Sequence, residues 1–271
     1  MRLFRRAWTV SVGTLGLSAF DLRFEVRRTL SSKPNTAEIE LYNLSETSRG
    51  QIAQAADGLV RLEAGYEEGK TLLFSGALRE AKSTHEGVDW ITKVSARDGG
   101  AQIRQARVLR SFGANARVED VVKTLAETLG VGVGNASDAL RAATLDRVGA
   151  YFPEGTVLSG SAATELDHLT RSVGLTWSVQ DGVLQLLTRG RALQGQAVRL
   201  TSDTGLVDTP TVSRGGKVQA KALLIPDLTP GRRVQIESRT VTGVYRVAAV
   251  AYRGETRGQD WYADLECEVE R

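Results

Sequence analysis

The chain has 271 residues, 41% hydrophobic and 25% charged, with a formal net charge of +3. These totals suit a globular chain of one large domain or two to three small ones, and the charge is too weak to argue for nucleic acid by itself. Cys267 is the only cysteine, which excludes an intrachain disulfide framework, and no stretch is long or apolar enough to span a bilayer as a helix.

Met1-Arg2-Leu3-Phe4-Arg5-Arg6 followed by Ala7 to Ala19 imitates a signal peptide. Thr9, Ser11, Gly13, Thr14 and Gly16 interrupt that run, however, and Trp8, Val10 and Val12 alternate as in a strand. Trp8 to Val12 is therefore predicted as the first strand. Phe20 to Arg28 is the second, with Phe20, Leu22, Phe24 and Val26 on one face and Asp21, Arg23, Glu25 and Arg27 on the other.

After Pro34 comes the stretch around which the first third is organised. Ala37, Ile39 and Leu41 alternate with Glu38, Glu40 and Tyr42, which is the pattern of a strand buried on one face. Asn43-Leu44-Ser45 stops it. Ser45 is placed to cap a short helix running to about Ala56, with Glu46 in the first turn, where negative charge is favourable. Further strands are predicted at Leu59 to Tyr66, Thr71 to Ser75, Leu78 to Ser83 and Val88 to Ala96, with hairpin loops at Glu67-Glu68-Gly69-Lys70 and His85-Glu86-Gly87. Gly76 interrupts an apolar run and predicts a bulge or a bend at a barrel corner. A small barrel is the natural way to hide the edges of so many strands.

At Asp98-Gly99-Gly100 the period changes. Val118, Val121, Val122, Leu125 and Leu129 form a helical stripe ended by Gly130. Ala162, Leu166, Leu169 and Val173 form a second, with Ser161 as its cap and Gly174 after it. The helix-Gly-strand tail Leu125 to Val133 parallels Leu169 to Trp177, a weak internal repeat. Asp181-Gly182 between alternating residues predicts a hairpin. From Val198 the chain returns to strands and turns: Val218 to Leu224, Val234 to Ile236, Tyr245 to Ala251 and Trp261 to Val269, with turns at Pro230-Gly231 and Gly243 and a polar loop from Gly254 to Gly258. Cys267 falls on the inward side of the last strand and reads as a small core residue. The expected fold is mainly β with an α+β module. Two small antiparallel β-barrel domains, 1–98 and 191–271, flank a helix-and-hairpin insertion, 99–190.

The search for chemistry returns little. His85 and His168 lack partners at metal-ligand spacing, no Gly-x-Ser-x-Gly elbow occurs, and Gly130-Val131-Gly132-Val133-Gly134 follows a helix instead of opening one. No cofactor, metal or catalytic residue is expected. The one charge feature is Arg97, Arg104, Arg107, Arg110 and Arg117, with Asp98 the only acid among them. A solvated helix face is the ordinary explanation, with Arg104 and Arg107 sharing that face. The functional one makes Arg104, Arg107 and Arg110 contacts to a channel's cargo or to an acidic partner. No aromatic residue interleaves with them, so single-strand stacking is not expected.

Three groups of residues carry a family resemblance: Pro34-Asn35-Thr36-Ala37-Glu38-Ile39-Glu40-Leu41-Tyr42-Asn43-Leu44-Ser45, then Leu62-Glu63-Ala64-Gly65-Tyr66, then Leu73-Phe74-Ser75-Gly76. Leu166 to Leu187, Leu228-Thr229-Pro230-Gly231, Gly243-Val244-Tyr245-Arg246-Val247 and Asp260-Trp261 continue it in order. The chain resembles baseplate or tail hub proteins of tailed phages and related contractile tail-like particles. The resemblance implies a non-enzymatic homotrimer whose subunits each supply two similar barrels. Three subunits then form a pseudo-sixfold ring that joins the sixfold tail tube to the threefold central spike. The ring surrounds a channel with transient DNA contact and inserts into no membrane. The implied location is the virion tail baseplate, assembled in the bacterial cytoplasm. No lytic or spike domain follows Arg271, so peptidoglycan cleavage is expected on a separate chain. The rival readings are a peptidoglycan-binding or peptidoglycan-cleaving tail-associated protein, disfavoured because most Trp and Tyr lie in alternating strands, and a nucleic-acid-binding barrel, disfavoured by the weak charge.

Overall fold

The computed structural model describes residues 5–144 and 151–270. Met1 to Phe4, the head of the leader-like stretch, lie outside the described residues. The part that follows is a strand, Arg6–Val12, which buries Val10 and Val12. Alternation predicts most of the later strands correctly. Leu22–Thr29 and Thr36–Tyr42 bury Leu22, Phe24, Val26, Ala37, Ile39 and Leu41 on one face and turn Arg23, Glu25, Arg27, Glu38 and Glu40 outward, whereas Arg28 is buried on the apolar face and donates to Leu73 O at 3.0 Å. Asn43 then takes a positive φ of 55°, a conformation asparagine tolerates better than most residues. Its side chain donates to Asp89 Oδ1 at 2.7 Å and accepts from the Trp90 N–H at 3.0 Å, which fixes where the strand stops. Ser45 caps the helix Glu46–Gln54 by accepting from the Ser48 N–H at 3.1 Å.

Some expectations are corrected. The two strands expected on either side of Gly76 are one strand, Thr71–Glu86, with the return strand at Asp89–Arg97 and only Gly87 and Val88 between them. The first half of Thr71–Glu86 pairs with Leu59–Tyr66 and the second half with Asp89–Arg97. Gly76 sits next to the residue, Ala77, where the pairing changes hands. Gly243 is not in a turn, and Gly254 does not open the polar loop. Both lie inside the strand Thr242–Glu255, and the turn expected at Gly243 falls at Ser238–Val241, where Ser238 N–H donates to Val241 O at 3.0 Å.

The chain divides into two compact units. One takes the chain up to Thr29, Asn35–Asp98 and everything from Ala192 onward. Its 13 strands form a single sheet. The path runs Thr211–Val212, Val218–Leu223, Trp261–Val269, Thr242–Glu255, Leu22–Thr29, Thr36–Tyr42, Asp89–Arg97, Thr71–Glu86, Leu59–Tyr66, Arg6–Val12 and Leu15–Leu17. Arg233–Glu237 branches from Thr242–Glu255 and pairs in parallel with Val198–Leu200. The first and last β-regions thus share a sheet through Leu22–Thr29 and Thr242–Glu255, whose register places Phe24 opposite Gly254. They also share a core, which includes Phe24, Ile39, Leu62 and Phe74 from one end of the chain and Val234, Val250, Tyr252, Trp261 and Leu265 from the other. The buried polar ends in that core are satisfied: Trp261 Nε1 donates to Gly65 O at 3.1 Å and Tyr252 Oη to Leu228 O at 3.0 Å. Cys267 is fully buried between Val218 and Val247, and desolvation pushes its thiol up to about 12, as befits a small core residue.

The second unit, Leu30–Pro34 and Gly99–Arg191, is the α+β module. Its core joins Val121, Leu125 and Leu129 of helix Val118–Leu129 to Leu166 of helix Ala162–Ser172 and to Leu175, Trp177 and Leu186 of a hairpin. Gly130 ends the first helix in the left-handed conformation at φ 69°, its N–H closing on Ala126 O and Glu127 O. Asp181 and Gly182 both have positive φ, 55° and 80°, as a two-residue type I′ hairpin turn requires. Ser161 stands at the cap position of the second helix, but its side chain makes no capping bond there. The helix Ala136–Thr144 and the ribbon of Arg107–Phe112 with Thr156–Ser161 are additional to the sequence reading.

Candidate functional site

The loop after Glu255 builds a densely bonded polar constellation in the β unit. Arg6 donates to the carbonyls of Glu255 and Gly258, each at 2.7 Å, and of Gln259 at 2.9 Å, while its guanidinium lies 5.4 Å from the Trp261 ring centroid. From the same loop, Arg257 reaches back across the sheet. Its Nε donates to Asp21 Oδ2 and its Nη1 to Asp89 Oδ2, both at 2.8 Å, over the Tyr42 ring at 4.8 Å. Thr256 Oγ1 donates to Asp21 Oδ1 at 3.1 Å and accepts the Leu22 N–H at 2.9 Å. These bonds latch the last β-region onto the first strands. Nothing local in the sequence signals them, because Arg257 and Asp21 are 236 residues apart and the loop reads only as polar.

The Arg257 hydrogen bond holds the Asp21 carboxyl below the usual aspartate range, and bonds from Asn43 and then Arg257 do the same for Asp89. Both shifts are downward. Their stabilisation is therefore present above the unfolded aspartate pKa, near 3.8, and is lost as pH falls through the lower folded values. Arg257→Ala is expected to lower the thermal midpoint at pH 7, and the gap to the unaltered protein is expected to close as pH drops below about 4. Thermal melts of both proteins across pH 7 to 2.5 check this. A gap of constant size would show that Arg257 acts through packing alone.

An open groove of about 860 Å³ lies on the shared sheet, lined among others by Gln219, Lys221, Ala249 and Ala251. Its charged rim is largely paired within the chain. Arg253 bonds to Asp264 and, at 3.1 Å, to Glu25, and Lys217 reaches Glu266. Burial works to raise the Glu25 carboxyl, but Arg27 and Arg253 together hold it below its usual range.

The structure separates the five arginines. Arg97 ends a strand of the β unit, whereas Arg104, Arg107, Arg110 and Arg117 belong to the α+β unit. The helix Gly100–Gln105 stops before Arg107, which opens the strand Arg107–Phe112, so Arg104 and Arg107 do not share a helix face. Arg104, Arg107 and Arg110 are all exposed. Arg117 pairs with Glu119 at 3.5 Å. The two histidines are not brought together into a site. His85 packs edge-on to Trp90 at 5.1 Å in a hairpin of the β unit, and His168 is exposed on a helix of the other unit. Among the described residues no group of three or more His, Cys, Asp or Glu is placed to hold a metal ion. Gly134 is no phosphate cradle, because its Cβ position is occupied by the Leu184 carbonyl.

Comparison with known proteins bears on the whole chain. No curated protein matches it. Among solved structures, the chain shares its fold with the 43 kDa tail protein of prophage MuSo2 from Shewanella oneidensis, at 11% identity and a TM-score of 0.68 over 98% of each chain. It also shares it with a tail protein from Neisseria meningitidis MC58, at 12% identity and 0.66 over 97% of this chain and 96% of that one. The c3393 protein of E. coli, described as a type VI secretion component similar to the T4 tail proteins gp27 and gp5, matches at 13% identity and 0.60 over 97% of this chain and 77% of its own. The family described as baseplate hub gp41 matches residues 11–267. The chain belongs to the baseplate hub gp41 family and is a phage baseplate hub protein.

Proposed function

We propose that the chain is a structural, non-catalytic hub that works as a homotrimer. Each copy contributes two β-lobes, one from either end of the chain, each curled into a barrel. Three copies then present six lobes to a sixfold tail tube on one side and threefold symmetry to a central spike on the other, around a channel that cargo DNA traverses. Assembly takes place in the bacterial cytoplasm, and the finished ring sits in the tail baseplate. The carrying observation is that the β-regions from the two ends of the chain are built into one 13-stranded sheet with one core. A sheet of this kind holds two lobes rigidly within one subunit, as a pseudo-sixfold ring of three subunits needs. The fold neighbours, among them a prophage tail protein and a type VI secretion component similar to gp27 and gp5, support the same reading.

Native mass together with two-dimensional electron-microscope averages tests this, on the protein alone and with its co-expressed genomic neighbours. A trimer ring with six similar lobes is expected in at least one of these conditions. A monomer in all of them, or a protein that clears a cell-wall suspension in a turbidity assay, would overturn the reading.

A further inference from the structure

Two of the three most exposed large hydrophobic residues among the described ones, Leu109 at 85% and Val157 at 66%, lie on one two-stranded ribbon. In the pairing of Arg107–Phe112 with Thr156–Ser161, Leu109 faces Ser159 and Ser111 faces Val157. Leu109 and Val157 are therefore diagonal neighbours on the same face, and Arg107 lies two residues along on that face. On the opposite face Val108 and Leu158 are buried in the core of the α+β unit. One side of the ribbon is thus packed, while the other shows solvent a leucine and a valine among serines. Neither strand pairs with a third among the described residues, so each keeps an outer row of backbone donors and acceptors. Arg104, Arg107 and Arg110 crowd the Arg107–Phe112 strand without an acidic partner among the described residues, in contrast to Arg117, Arg171, Arg233 and Arg253, which are all paired.

We propose that the outer edge of the Arg107–Phe112 strand is a docking site for an extended, acidic segment of a partner protein. The segment adds as a third strand and lays its own apolar side chains on Leu109 and Val157. Strand addition accounts for the placement of the charges. Arg107 and Arg110 are three residues apart and so point to opposite faces, and an added strand presents side chains to both faces at once. A nucleic acid fits less well. Phosphates make no use of Leu109 and Val157, and the face formed by residues 107, 109, 111, 157, 159 and 161 carries no aromatic ring for a base to stack on. The inference stands apart from the hub reading, because its test needs only the chain and a peptide.

The probe is a capped, fluorescent octapeptide alternating Glu and Val, titrated against the full chain by anisotropy. Saturable binding is expected, weakening with salt and lost when alternate peptide nitrogens are N-methylated to block strand pairing. Leu109→Ser and the double variant Arg107→Glu with Arg110→Glu are each expected to weaken it at least tenfold with thermal midpoints unchanged. A matching Lys/Val peptide is expected not to bind. Equal binding of both peptides, no binding of either, or equal binding after N-methylation would overturn the proposal. A DNA duplex bound equally by the chain and by Leu109→Ser, with the Glu/Val peptide unbound, would reassign the arginines to nucleic acid. Self-association lost in Leu109→Ser without any peptide would assign the edge to a second copy, and would overturn it as well.

Discussion

Gly254→Val is expected to destabilise the β unit by about 3 kcal/mol, at the upper end of the usual cost of overpacking a core. Gly254 lies where the two β-regions pair in the shared sheet. It stands opposite Phe24 on one neighbouring strand and Trp261 on the other. A Cβ at this position would overlap the Phe24 ring and come within 2.9 Å of Trp261 Cε3. Both rings are 2% exposed and meet edge-on, with centroids 5.6 Å apart. Neither has open space to move into, and Trp261 is further tied by its bond to Gly65 O. The added methyls must push one ring off its rotamer or spread the sheet. For a unit of this size the thermal midpoint should fall by roughly 6–12 °C, with altered near-ultraviolet circular dichroism from Trp261. Gly50→Ala is the contrast. It lies in the helix Glu46–Gln54, where a new Cβ meets nothing within 4 Å. It should stabilise by about 0.5–1 kcal/mol through backbone entropy alone. A Gly254→Val midpoint within about 2 °C of the parent would mean that the seam gives way easily, and would remove the basis for treating it as a rigid joint.

The same glycine shows what the sequence discloses and what it hides. Alternation marks inward and outward residues because one face of each strand is buried, and Ile39, Leu62 and Leu265 are legible on that ground. It fails at Val250, because a register shift between Val247 and Ala249 turns Val250 inward, against the alternation of Tyr245, Val247, Ala249 and Ala251. Alternation does not name a strand's neighbour. Nothing in Leu22–Thr29 announces that it pairs with a strand more than 200 residues later. Gly243 reads as a turn and Gly254 as the start of a polar loop, because glycine next to polar residues usually marks one. Both are instead strand positions covered by an aromatic ring: Phe24 and Trp261 over Gly254, and Tyr245 over Gly243, where a Cβ would lie 3.0 Å from Tyr245 Oη. Glycine shielded by an aromatic neighbour keeps the strand intact, and for Gly254 those partners stand on other strands and are visible only in three dimensions.

The surface features divide in the same way. The arginine cluster is visible as composition, but its geometry depends on a short helix that ends at Gln105 and a strand that starts at Arg107. Val108 and Leu109 are adjacent apolar residues, and only the packing of the module decides that Val108 turns inward and Leu109 outward. The Arg6 and Arg257 latch joins the two ends of the chain, so no window of sequence contains it.

Gly76→Glu should have the larger effect and abolish cooperative folding of the β unit. Gly76 is buried where Thr71–Glu86 passes from one pairing partner to the other, its neighbour Ala77 facing Leu59 on one side and Arg97 on the other. Its space is filled by backbone. A Cβ would lie 2.6 Å from both the carbonyl carbon and the oxygen of Arg97, and 2.6 Å from Phe74 Cζ. A flexible side chain could swing aside, but the Arg97 carbonyl belongs to a paired strand and cannot move without opening the ladder. Glutamate adds a charge at a site that excludes water, which costs several kcal/mol more unless a partner is found. The sum approaches the 5–15 kcal/mol that stabilises a typical domain. Gly76→Ala separates the two contributions, because it keeps the backbone clash and removes the charge. The expected order of thermal midpoints is parent, then Gly76→Ala well below it, then Gly76→Glu with no resolvable transition or no soluble protein. Because the sheet is shared, the loss should reach the strands after Ala192 as well, and proteolysis of Gly76→Glu should leave at most the α+β module. A soluble Gly76→Glu chain that melts cooperatively and assembles like the parent would show that the strand can pass between its partners without a glycine, and would remove this position from the argument for a rigid two-lobed unit.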